Sequence, residues 1–261
     1  MKLSSPWLIF GTVLLIFFGF AFTLLTFIWP IQEVSVAKSG VFGDSFGVLS
    51  SLFNGLALAA LILTLTEQKN EFRQQHFENT FFEMVRLHVD MTASIDLKMR
   101  DKNENEIVTQ GKDCFSIFYD KLKGTFYYQD QNNPNNTEAQ RFADAYDFFW
   151  GKWHKELGHY FRSLYTVFKY INESKLEDKK LYANIMRSQL SDHELLVLFY
   201  NCLSKHGEEK FKPLVEEYAL FDNMPLEMLY KPSDQSRYSD KAYGSNWAFQ
   251  RTGQSSALPA R

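Results

Sequence analysis

At 261 residues, with 45% hydrophobic and 16% aromatic side chains and 25 Phe, the chain is too apolar for an intrinsically disordered class. Its formal charge of −3 provides no overall basic field that would recommend nucleic acid as a partner. The two cysteines, Cys114 and Cys202, stand far apart without a CxxC, which excludes a disulfide framework or zinc module and suits a reducing compartment.

Apolar residues gather at the start. From Trp7 to Trp29 the run WLIFGTVLLIFFGFAFTLLTFIW carries no charge. It exceeds the roughly 20 residues a bilayer span needs, places a tryptophan at each interface and stops at Pro30. A signal peptide has an apolar core of only about 7–15 residues and a small-x-small cleavage site. That site is absent here, so an uncleaved anchor is expected. A second uncharged run, Ser45 to Thr66, follows the connector Pro30 to Asp44, and together they predict a transmembrane hairpin over 1–66, with spans at about 7–29 and 45–66. Lys2, Lys69 and Arg73 flank the spans, against Lys38 alone in the connector, which places both termini in the cytoplasm.

The second span repeats a small residue every fourth position: Gly43, Gly47, Ser51, Gly55, Ala59. Lipid does not push apolar helices together, so association depends on the close backbone approach that such positions permit. Asn54 adds a side-chain amide that is costly to leave unpaired in hydrocarbon. Four residues turn an ideal helix by about 400°, so the stripe drifts roughly 40° per step and one straight neighbour cannot follow it. One neighbour is expected to be the first span, through Gly11, Gly19 and Thr23, and the other a second protomer in a homo-oligomer.

Beyond Thr66, Phe77, Phe81, Val85 and Val89 recur four apart, which predicts a helical stalk over 67–100. RDKNENEIVTQG reads as a charged loop, and a short helix is expected from Asp113 to Leu122. QDQNNPNNT reads as a hinge around Pro134. Thr137 and Gln140 form a capping box for a long helix through Ile171, with Gly151 and Gly158 as candidate kinks. A helix from about Glu177 to Leu190 is followed by a second capping box, Ser191 with Glu194, and an apolar helix that Gly207 would stop. The body is therefore a cytoplasmic helical domain over 101–230, and 231–261 reads as a mostly disordered tail. The fold class is all-α.

No phosphate-binding glycine loop, nucleophile elbow, His-Glu-x-x-His or EF-hand occurs, so no cofactor, metal or small-molecule substrate is expected. His154 and His159 are five apart and point to different sides of a helix. The one enzymatic candidate is Arg187 with His193, whose spacing loosely matches helical ribonucleases of the HEPN superfamily. Ser191 as an N-cap would break the helix between them, so catalysis is the lesser reading.

Several blocks resemble the AbiC-like phage abortive infection proteins of bacteria. They are GDSFGVLSSLFNGLALAALILTL, FENTFFEMVRLH, GKDCFSIFYDKL, LGHYFRSLYTVFKYI, RSQLSDHELLVLFYNCLS and KFKPLVEEYALFDNMP, within 43–244. The resemblance implies antiphage defence by killing or arresting the infected cell, at the bacterial inner membrane. The chain also looks similar to two-span effectors of retron systems, in which a reverse transcriptase with its RNA-linked DNA holds a toxic partner in check. No catalytic motif carries over from either.

Overall fold

The computed structural model describes residues 6–28, 36–100 and 106–249. It divides into two compact units, Met1–Phe72 and Arg73–Arg261. Trp29, Pro30, Lys2 and the tail residues 250–261, on which several sequence expectations rest, lie outside the described residues.

In the first unit α1 runs Pro6–Ile28 and carries no charged residue. Helix α2 runs Val36–Ala93 and so continues into the second unit. It begins nine residues before the expected span, because Val36 to Asp44 contains no proline and its two glycines do not suffice to stop a helix. Of the expected connector, Pro30 to Asp44, the residues from Val36 on are therefore helical. Within this unit Phe17 and Phe20 of α1 meet Phe46 of α2, with ring centroids 5.9 Å apart in both pairs.

In the second unit α2 does not remain helical to Lys98. It ends at Ala93, and an antiparallel hairpin follows: β1, Asp96–Arg100, and β2, Glu106–Gln110. Register runs from Asp96 opposite Gln110 to Arg100 opposite Glu106. The expected loop thus holds a strand on each side of 101–105. Alternation explains why: Leu97 is buried while Asp96 and Lys98 are exposed, and β2 contributes β-branched Ile107, Val108 and Thr109. Such short strands in a charge-rich setting give little periodic signal.

Among the described residues five helices, with the end of α2, build the body. Helix α3, Cys114–Asn132, extends ten residues past its expected end, and α4, Glu138–Glu173, is continuous through Gly151 and Gly158. They run antiparallel, as the contacts Phe115 with Tyr160, Phe118 with Trp153 and Phe126 with Phe142 require. The expected hinge shrinks to a five-residue turn tied down by Arg141, which reaches both Asp130 Oδ1 (2.8 Å) and the Asn136 carbonyl. Helix α5, Lys179–Arg187, and α6, Asp192–Leu203, follow. Both expected capping boxes form: Gln140 N–H donates to Thr137 Oγ1, and Glu194 Oε2 accepts from the Ser191 backbone N–H at 2.8 Å. Helix α7, Lys212–Glu217, then leads to three short 3-10 turns.

The region expected as a stalk belongs to the core from Phe77 on. Phe77 stacks on Tyr170 of α4 at 4.8 Å, and Phe77 and Phe81 both meet Tyr182 of α5 edge-on. The Tyr182 hydroxyl donates to Glu78 at 2.8 Å. The expected disordered tail is corrected for 231–249. Tyr238, Ala242, Tyr243 and Asn246 are buried there. The Phe221 N–H donates to the Ala242 carbonyl, and the Asn246 amide donates to the carbonyls of Phe221 and Met224. Small polar residues here cap tight turns: Ser239 accepts from the Lys241 N–H, and Gly244 takes a φ of 51° that L side chains rarely adopt.

Candidate functional site

Helix α2 is the structural basis of any membrane role. Among the described residues one helix, Phe46–Ala93, contains a window long and apolar enough to cross a bilayer, and that window is exposed in the isolated chain. The described apolar portion of α1 is shorter, Gly11–Thr23. The exposed side chains include Leu52, Leu56, Leu61, Ile62 and Leu63. So large an apolar surface on one helix marks a membrane or a partner.

Along that window the predicted small positions fall on α2 as follows. Ser51 turns inward to its own helix and donates to the Gly47 carbonyl at 2.9 Å. Asn54 and Ala59 are exposed. A Cβ built at Gly47 or Gly55 would meet nothing within 4 Å, and the same holds for Gly11 and Gly19. The side-chain surroundings of Gly43 lie outside the described residues. The expected close glycine contact between the first two helices is therefore not made at these positions among the described residues, where the rings of Phe17, Phe20 and Phe46 meet instead. The small face at Gly47 and Gly55 is left open.

The other predicted pair is Arg187 with His193. Arg187 ends α5, and His193 lies in the first turn of α6, with Ser191 capping α6 between them. Arg187 Nη2 lies 3.0 Å from Asp222 Oδ2 and Nη1 donates to the Ala219 carbonyl at 2.8 Å, with both charged side chains 14% exposed. Ala219 has a φ of 50°, the left-handed region that a non-glycine residue visits at a cost. Arg187 thus holds a strained turn, and Asp222 in turn accepts from the Ser245 hydroxyl at 2.8 Å. His193 is half-buried with its ring 6.3 Å from that of Tyr119.

Sequence reasoning passed over the buried polar centre between α2, α4 and α6. His88 is 1% exposed, and its Nδ1 lies 3.2 Å from Ser163 Oγ. Burial, and then the charge of Lys112, lower its pKa to about 4, so the ring is neutral in the fold. Burial and the neighbouring Glu194 raise the Tyr160 phenol well above its usual value. A second tie joins the end of α3 to the residues after α7. Asp130 receives Arg141, Lys231 Nζ (2.9 Å) and the Tyr230 hydroxyl (3.0 Å), which leaves the cleft beside it internally paired. The signal for these groups was present, as polar residues inside otherwise apolar helical patterns, but partners such as Ser163, 75 positions from His88, and Tyr230, 100 from Asp130, cannot be read from spacing. No cluster of three metal-ligating side chains occurs among the described residues.

The class these features define is a predominantly helical protein with an exposed helix capable of crossing a membrane. A family model described as "Putative phage abortive infection protein" matches residues 152–229, which spans most of α4 and all of α5, α6 and α7. Over that segment the chain is similar to the AbiC-like proteins, as its sequence blocks indicated. No curated protein and no solved structure matches the chain.

Proposed function

We propose that the protein is a membrane-anchored antiphage effector that causes abortive infection by compromising the inner membrane once a restraining partner releases it. The observation that carries this reading is the presence, in one chain, of a family segment of abortive infection proteins and an exposed apolar helix. The two-span hairpin with both termini cytoplasmic and assembly into a homo-oligomer belong to the same proposal. The open face at Gly47 and Gly55 supports assembly, since no described residue comes within 4 Å of a Cβ built at either. A reverse transcriptase complex carrying RNA-linked DNA is the partner proposed to restrain it.

Infection of cells carrying the gene in its operon tests the reading. Defence with death or arrest of infected cells, and recovery of the protein in carbonate-washed membranes, is expected. Protection by a soluble protein would remove it. Changing Arg187 and His193 together to Ala addresses the ribonuclease alternative: loss of defence from a variant that remains folded, with cellular RNA cleaved only by the wild type, would favour catalysis. Defence that persists only when a second gene supplies the toxicity would make the chain a membrane scaffold.

A further inference from the structure

Helix α2 has a polar side that its contact with α1 does not use. Between Phe46 and Thr66 the half-buried residues are Phe46, Leu49 and Phe53, three and four apart, in line with the rings of Phe17 and Phe20 that meet Phe46. This is the row that α1 covers. About 100° further round the helix lie Gly47, Ser50, Asn54, Ala57, Leu61 and Thr64, all exposed. They alternate three and four apart, the period that keeps a row straight along a left-handed helix bundle, whereas the stripe through Gly55 and Ala59 drifts. Only Leu61 is large. The opposite side of α2 is apolar, with Val48, Leu52, Leu56 and Leu63 each more than half exposed. Asn54 sits about 3 Å along the axis from the middle of the span, the depth at which an unpaired polar group is most costly. Ser51 and Thr64 return their hydroxyls to the Gly47 and Ala60 carbonyls at 2.9 Å, but the Asn54 amide bonds no described residue.

We propose that this row lines a water-filled path through the membrane, enclosed by several copies of α2, an inference that rests on the membrane-damage reading above. In hydrocarbon, an amide that neither α1 nor its own helix satisfies must meet water or another polar group. Water suits the whole row better than a dry helix contact. A dry seam needs small residues or a single amide, but here short side chains alternate with an amide and hydroxyls over about five turns, which leaves room for water along the row. Ser51, Gly55 and Ala59 then fall on the flank, where a neighbouring copy packs. The row carries no charge, so the path admits small cations and anions alike, and Leu61 forms its narrowest ring.

The test follows the full chain, expressed from its operon, in infected cells exposed to a membrane-impermeant, charged methanethiosulfonate. Ser50→Cys and Ala57→Cys should react about tenfold faster than Leu52→Cys and Leu63→Cys, because only a thiol in water ionises to the reactive thiolate. The native Cys114 and Cys202 are buried and set the background. In planar bilayers, purified Asn54→Asp protein should favour potassium over chloride about tenfold more than the wild type does, since a ring of carboxylates selects cations. Equal labelling of the two sides in cells that depolarise, or an unchanged ion preference in Asn54→Asp, overturns the path and leaves membrane damage standing. A wild type that leaves the membrane potential intact overturns both. Reagent excluded from Ser50→Cys, with Asn54→Cys copies joined by a disulfide, would make the row a dry contact between copies instead.

Discussion

Arg187 distinguishes two kinds of importance at the scale of single residues. Its guanidinium bonds Asp222 and the carbonyl of a strained residue, both largely out of water, so removing it strands a charge and an acceptor. Arg187→Ala should lower stability by about 3 kcal/mol, and Asp222→Ala by a similar amount. A double-mutant cycle in thermal melts should show strong coupling between them. Additive losses would contradict the clamp. His88 makes a pH prediction at the same scale. Its folded pKa of about 4 lies below its ordinary 6.5, so between those values the unfolded chain binds the extra proton. Stability must therefore fall as pH drops through that window, by about 2 kcal/mol at pH 5. His88→Leu should flatten the dependence of melting temperature on pH between 7 and 5; an unchanged slope would remove His88 as its source.

At the scale of elements, local signals were read well and non-local ones poorly. Both capping boxes and the long amphipathic α4 follow from side chains within a turn of one another, and they form as expected. The β1–β2 hairpin has only five residues per strand, and the sequence between the strands, DKNEN, is polar throughout. What holds the segment after Lys231 is burial of Tyr238, Tyr243 and Asn246 against distant helices, which composition does not announce. Gly207 shows the same limit. It reads as a stop after α6, yet a Cβ there would stand 2.8 Å from the Asn201 carbonyl and the Cys202 Cα, so the backbone approach itself demands glycine. Gly207→Ala should cost about 2 kcal/mol in the melting of the body, whereas Gly124→Ala, at an open site inside α3, should stabilise it by up to about 1 kcal/mol. Equal effects would show that the loop gives way. Docking of α2 onto α4 and α5 depends on Phe77 in the same manner. Phe77→Ala should cost about 3 kcal/mol and raise amide exchange over residues 73–93.

The whole molecule joins a membrane-capable helix to a helical body, and the two are legible to different degrees. The apolar run of α2 needed only length and composition. The packing of its small face did not follow from the stripe: the large rings of Phe17, Phe20 and Phe46 meet where glycine contacts were expected, and Gly47 and Gly55 stay uncovered. That openness makes Gly55→Leu an informative substitution, since a Cβ there meets nothing within 4 Å among the described residues and a loss reports on a neighbour. The most direct measurement is membrane potential, followed with a voltage-sensitive dye during infection of cells holding equal amounts of wild-type or Gly55→Leu protein. Membrane damage by an assembled effector predicts depolarisation before lysis in the wild type and a retained potential in Gly55→Leu. A wild type that arrests cells with potential intact, or a Gly55→Leu protein that depolarises them equally, would contradict it.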